Sequence, residues 1–190
     1  SRTMTGTGVA KKEDEIKTVD ILVFDASKTP AVFLEWVSGT GITQDLANDN
    51  STANFSAVLS PTTVSTCIVV VANRELDGIA SKFKKGETTK VQAMEAMLHT
   101  RTSKWTADGS TSGGYTPIPM YGETEVVKIT PSMNPITGIN MKRMLARIDI
   151  RNSASNFTVE EVYLANYNTI GYIAPAWDAN GKLKDPAPDA

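Results

Sequence analysis

Residues 139–151 read IleAsnMetLysArgMetLeuAlaArgIleAspIleArg. Met144, Ala146, Ile148 and Ile150 share one parity. Arg143, Arg147, Asp149 and Arg151 share the other, with Leu145 the exception. A period of two sends one face of the chain to a core and the other to water. At helical spacing the same residues scatter around the axis, so the pattern predicts a half-buried strand and a β-rich chain.

Strand signals continue on both sides of this stretch. Upstream, residues 118–121 and 125–129 are predicted strands and residues 134–138 a turn. Downstream, residues 158–166 are predicted to form a last strand, and residues 174–190, punctuated by Pro and Gly, have linker composition. Residues 18–24 (ThrValAspIleLeuValPhe) begin alternating and end apolar on both faces, as in a central strand. Residues 32–37 suit a second strand, and residues 55–59 alternate weakly. Residues 38–54 are rich in Gly, Asn and Asp, which predicts a loop. Residues 63–73 (ThrValSerThrCysIleValValValAlaAsn) are dominated by β-branched side chains and predict a buried strand. Thr89 followed by Gln92 suits a capping box. Val91, Met94 and Leu98 then repeat at helical spacing through residues 90–99. Residues 76–83 suit a further short helix, and residues 100–115 a long polar loop. Strands without βα alternation, interrupted by one or two short helices, predict a mainly antiparallel β-sandwich. Its expected organisation is a flexible arm over 1–17, the sandwich over 18–173 and a linker over 174–190.

Composition removes several function classes. The chain has 190 residues and a formal net charge of −2, which disfavours nucleic acid, a partner that wants a basic face. No apolar run approaches the ~20 residues needed to span a bilayer. The single cysteine, Cys67, permits no internal disulfide. Within its aliphatic run it reads as a small buried hydrophobe.

The remaining chemistry is thin. Cys67 and His99 could in principle form a nucleophile–base pair. A thiolate is disfavoured in mid-strand, and His99 is expected at a helix end, where the dipole favours a cation. One His and one Cys cannot assemble a Cys/His zinc site. Residues 45–50 look like a calcium loop only superficially, because Ala47 stands where a ligand is needed two residues after Asp45. Residues 109–114 lack the Gly-Lys-Ser/Thr of a phosphate loop. Glu13, Asp14 and Glu15 form a solvated charge run. Asn54 and Asn156 open glycosylation-type triplets. Trp36, Trp105 and Trp177 could stack on sugars, although packing is the commoner fate of Trp. No catalytic, cofactor-binding or metal-binding set emerges, so the chain reads as a non-enzyme without cofactor.

Four segments taken together resemble the N-terminal domain of the fimbrillins, the major fimbrial subunits of type V pili. They are ThrValAspIleLeuValPheAsp at 18–25, ValValValAlaAsn at 69–73, ProMetTyrGlyGlu at 119–123 and MetLysArgMetLeuAlaArgIleAsp at 141–149. A strand ending at GlyTyrIle, 171–173, follows the last of them. The resemblance implies a transthyretin-like sandwich in a cell-surface fimbrium, made from a lipoprotein precursor anchored in the outer membrane. It further implies trimming by an arginine-specific protease, which by position falls between Arg2 and Thr3. Trimming removes a first strand and leaves a groove for a strand from a neighbouring subunit. The expected partners are other pilus subunits in a head-to-tail polymer and host or bacterial surface ligands, with membrane contact only through the precursor's lipid. The family's donor strand belongs to a second domain with no counterpart in residues 1–190, so this stretch is expected to accept a strand and not to give one. A surface glycan-binding or adhesive tip module is the alternative reading.

Overall fold

The computed structural model describes residues 14–45, 52–100, 117–124, 128–133, 135–145, 150–165 and 168–174. The fold is mainly β and antiparallel. Its elements are β1 (Val19–Asp25), β2 (Val32–Ser38), β3 (Thr40–Gln44), β4 (Ala53–Ser56), β5 (Thr66–Ala72), α1 (Asp77–Ala80), α2 (Lys90–Ala96), β6 (Leu98–Thr100), β7 (Met120–Glu123), β8 (Lys142–Arg143) and β9 (Ile170–Tyr172).

The central sheet has five strands in the order β2-β1-β5-β7-β8. β1 and β5 are buried along their whole lengths. Their β-branched and aromatic residues suit a pleated surface packed on both sides. β1 pairs in unbroken register with β5, from Val19 opposite Ala72 to Asp25 opposite Thr66. Alternation along the two strands divides the core. Leu22, Phe24, Val69 and Val71 face one side, with Leu76 and Met94 from the helical region. Val19, Ile21, Val23, Ile68 and Val70 face the other, against Ile42, Phe55, Ile129 and Met141. Helices therefore cover one face, and the β3–β4 ladder with residues 129–141 covers the second. Each fully buried aliphatic or Phe side chain contributes about 1.5–3 kcal/mol to such a core.

The capping box forms as its residues predict. The Thr89 hydroxyl accepts from the Gln92 N–H at 3.2 Å, and Gln92 Oε1 accepts from the Thr89 N–H at 2.9 Å. Gly122 in β7 lets residues 139–141 cross closely above it. A Cβ there would lie 2.7 Å from Met141 Sδ and 3.0 Å from the Asn140 carbonyl.

Several boundaries differ from the sequence reading. The helix predicted over 90–99 stops at Ala96, because residues 98–100 pair with β9. The helix predicted over 76–83 is a single turn followed by turns. Residues 40–44, expected as loop, form a strand whose one partly buried large apolar side chain, Ile42, gives too little periodicity to recognise. Its partner β4 lies over residues 53–56 rather than 55–59. Among the described residues of 139–151, only the two of β8 pair in a strand, with Met144 packed on the core and Ile150 57% exposed. Residues 146–149 lie outside the described residues. Residues 158–165 form no strand and are exposed throughout. β9, which begins at Ile170, was not anticipated as a partner of residues 98–100.

Candidate functional site

Among the described residues, the two outer strands of the central sheet each pair with one other strand of that sheet. β8 pairs with β7 through Met120 opposite Arg143 and Tyr121 opposite Lys142. Beyond it, no further strand pairs among the described residues. β2 is partly shielded at its start. The Phe33 N–H donates to Thr88 O, the Gly86 N–H donates to Phe33 O, and Val32 bridges to Thr89. Past Phe33, residues 34–38 have no outer neighbour among the described strands. Unpaired N–H and C=O groups along such an edge are a template for another extended chain.

The end of the β2 edge opens on a cleft of about 320 Å³. Lys17, Trp36, Ser38, Ile42, Leu76 and Asp77 are among its lining residues. Asp20 is the organising group, at 4% exposure. Its Oδ1 accepts from Trp36 Nε1 at 2.9 Å and from Ser38 Oγ at 3.0 Å, and its Oδ2 accepts from the Leu76 N–H at 3.1 Å. A buried carboxylate is tolerated only when its lone pairs are filled in this way. Asp20 thus ties the end of β2 to β1 and to the start of α1.

The chain entering β1 is also pinned. Asn73, in the left-handed region at φ 60°, accepts from the Lys17 N–H at 2.8 Å and donates to the carbonyls of Glu15 and Ile118, both at 2.8 Å. Gln44 donates to Asp14 O and accepts from the Ile16 N–H. Arg143 of β8 pairs with the Asp14 carboxylate.

A second polar cluster lies where β7 meets α2. Glu123 accepts from Lys90 Nζ and, at 2.5 Å, from the Tyr121 hydroxyl. Burial opposes the Glu123 charge, but the hydrogen bonds from Lys90 and Tyr121 outweigh it and hold the carboxyl below its ordinary value. Burial works against the Lys90 charge too, yet Glu123 keeps that ammonium above its ordinary value. The Tyr121 phenol is pushed up, first by burial and then by its bond to Glu123. Burial likewise pushes the Cys67 thiol up, and its Sγ donates to Thr124 O at 3.6 Å. The cluster is therefore a closed ion pair beside a protonated thiol, an arrangement suited to holding α2 on the sheet.

Of the residues singled out by sequence, the structure sets Cys67 against Lys90 and Glu123. His99 sits in β6, in a different sheet, and not at a helix end. Trp36 lines the cleft with its indole N–H committed to Asp20. Asn54 lies in β4 and Asn156 in a surface turn. Asp45 ends the described part of its loop, and the rest of 45–50 lies outside it. Arg2, Thr3, Trp105, Trp177 and residues 109–114 also lie outside the described residues. Among the described residues no group of three or more His, Cys, Asp or Glu side chains could hold a metal ion, and no helix is long and apolar enough to cross a membrane. Sequence reasoning missed Asp20 and Asn73. The one acid inside the apolar run 18–24, and an Asn closing the run 63–73, were the available signals.

A family model described as fimbrillin-A associated anchor proteins Mfa1 and Mfa2 matches residues 7–189. Neither a search of curated proteins nor one of solved structures returned a match. With a mainly β, antiparallel fold of the kind the fimbrillin resemblance implied, and a family match over nearly its whole length, the chain belongs to the family of fimbrillin-A associated anchor proteins Mfa1 and Mfa2.

Proposed function

We propose that this chain is a structural subunit of a bacterial surface fimbrium that accepts a strand from a neighbouring subunit. The observation that carries the reading is the central sheet, in which β8 and residues 34–38 of β2 have no outer strand beside them among the described residues, next to a core packed on both faces. An incoming strand would gain ladder hydrogen bonds along an edge and side-chain contacts beside it. A head-to-tail contact that does not close on itself builds a filament. The family match supports a fimbrial role at the cell surface.

In this reading the subunit is exported as a lipid-anchored precursor, with a flexible arm over 1–17, a sandwich over 18–173 and a linker over 174–190. An arginine-specific protease cuts between Arg2 and Thr3 and removes the strand that occupies the acceptor lane beforehand. The polymer uses neither cofactor nor catalysis, so subunit surfaces alone set its chemistry. The test is polymerisation of the full-length precursor after treatment with an arginine-specific protease. Fibres should form from wild type and fail to form from Arg2→Ala; equal polymerisation of the variant would remove the processing step.

The cleft beside Trp36 supports a second reading, a glycan-binding or adhesive tip module. It requires sugar binding on a glycan array that is lost on Asp77→Ala. A blank array removes it.

A further inference from the structure

The cleft at the end of the β2 edge carries more negative than positive charge. Asp20, Glu75 and Asp77 line it, against one cationic side chain, Lys17. Lys17 is itself drawn to Glu15, 3.8 Å away. Among the described residues none of the three carboxylates takes part in an ion pair. Asp20 is the sharpest case. It is buried, yet its three donors are an indole N–H, a hydroxyl and a backbone N–H, all of them neutral. A buried carboxylate ordinarily has a cation beside it as well as hydrogen bonds. Hydrogen bonds fix this one in place, but no ion pair among the described residues balances its charge.

The form of the cleft narrows what the balancing cation is. No group of three or more acidic side chains is placed to hold a metal ion among the described residues, so the three carboxylates do not converge on a point. They are spread along a cleft of about 320 Å³, with the half-buried Trp36 and Ile42 among its walls and the exposed Glu75 and Asp77 at its rim. Arginine and lysine match that layout. Their apolar stems pack on side chains such as these, while the charged head stays at the wet end. A Trp ring also attracts a cation laid over it. Trp36 and Ser38 share one parity of β2, and both line the cleft. A strand paired along residues 34–38 sets its own alternate side chains beside that parity, and so brings one of them to the cleft.

We propose that this cleft is a pocket for one basic side chain, Arg or Lys, carried by the strand that a neighbouring subunit lays along residues 34–38. The pocket itself is independent of the strand-accepting function proposed above; the identity of its carrier rests on that function. Ladder bonds along the edge are blind to sequence, so such a pocket supplies the choice of partner.

The pocket is tested on the full chain with Nα-acetyl-arginine methylamide as probe. Proton–nitrogen correlation spectra follow the Trp36 indole N–H, assigned with Trp36→Phe. Blocked arginine should shift that resonance saturably. The citrulline analogue, equal in shape but uncharged, should not saturate over the same range. Glu75→Gln with Asp77→Asn should abolish the arginine shift; both positions are exposed, so the variant should fold, and circular dichroism checks this. No saturable shift with arginine, or equal shifts with citrulline, overturns the proposal. Saturation by methyl glycosides and not by arginine would assign the cleft to sugars and overturn it too. The carrier is tested in protease-treated precursor, where Glu75→Lys with Asp77→Lys should slow fibre growth without moving the urea midpoint. Growth equal to wild type overturns the carrier. A wild-type precursor that forms no fibres overturns the carrier together with the proposed function, while the arginine result stands on its own.

Discussion

Replacing Asp20 by Ala removes the acceptor for three donors at once: Trp36 Nε1, Ser38 Oγ and the Leu76 N–H. Hydrogen bonds to a charged group contribute roughly 1.5–3 kcal/mol each, and an orphaned buried donor costs about 1–3 kcal/mol. The three do not add. Trp36 is only partly buried and Ser38 is exposed, so water can replace the carboxylate there. Leu76 is fully buried, so water does not readily replace the carboxylate as acceptor for its N–H. A net loss of about 3 kcal/mol follows, most of it from the Leu76 amide and the remainder from the indole. Asp20→Asn should lose less, since its carbonyl oxygen can still serve Trp36 and Ser38, while its NH2 group would face the Leu76 donor. The assay is urea unfolding followed by far-ultraviolet circular dichroism. With a slope of about 1–3 kcal/mol per molar urea, Asp20→Ala should lower the midpoint by about 1–3 M, with Asp20→Asn between it and wild type. A loss below about 1 kcal/mol for Asp20→Ala would refute the view that this carboxylate holds β2 to the body of the fold.

Glu123→Gln should flatten the acid limb of stability. The folded carboxyl lies below its ordinary value of 4.5, so its contribution is present above that value and is lost as pH falls through the lowered one. The stability gap between wild type and variant should therefore close below about pH 4.5, and a gap unchanged at about pH 2 would contradict the assignment. Gly122→Ala should cost about 1–3 kcal/mol by pushing residues 139–141 off β7, measured by thermal melting; a neutral substitution would show that the crossing is not tight. Cys67 should react slowly with a thiol reagent at pH 7 in the native state and rapidly in denaturant, because its thiol is buried and held protonated. Fast native labelling would contradict this.

The most legible parts of the fold were those where local chemistry and tertiary context agree. β1 and β5 read as strands because their apolar runs serve two packed faces, and α2 announced itself through Thr89 and Gln92. β3 and β6 were illegible for a physical reason: each is short, half-exposed and defined by a partner rather than by its own pattern. The alternation at 139–151 is genuine in sequence, yet among its described residues only Lys142 and Arg143 pair, since pairing needs a neighbouring strand as well as a pattern. The site was less legible than the fold. The Asp20 triad joins residues up to 56 positions apart, and no local motif encodes such a meeting. Cys67 was correctly read as buried, but its surroundings of Lys90 and Glu123 depend on α2 docking against β7.

The central claim is that an outer lane of this sheet is filled by a neighbouring subunit. Electron cryomicroscopy of fibres assembled from the processed precursor tests it most directly. The account predicts an extended strand from the adjacent subunit, hydrogen-bonded along an outer strand of the central sheet. Fibres in which each domain completes its sheet alone and touches its neighbours only through loops would contradict it.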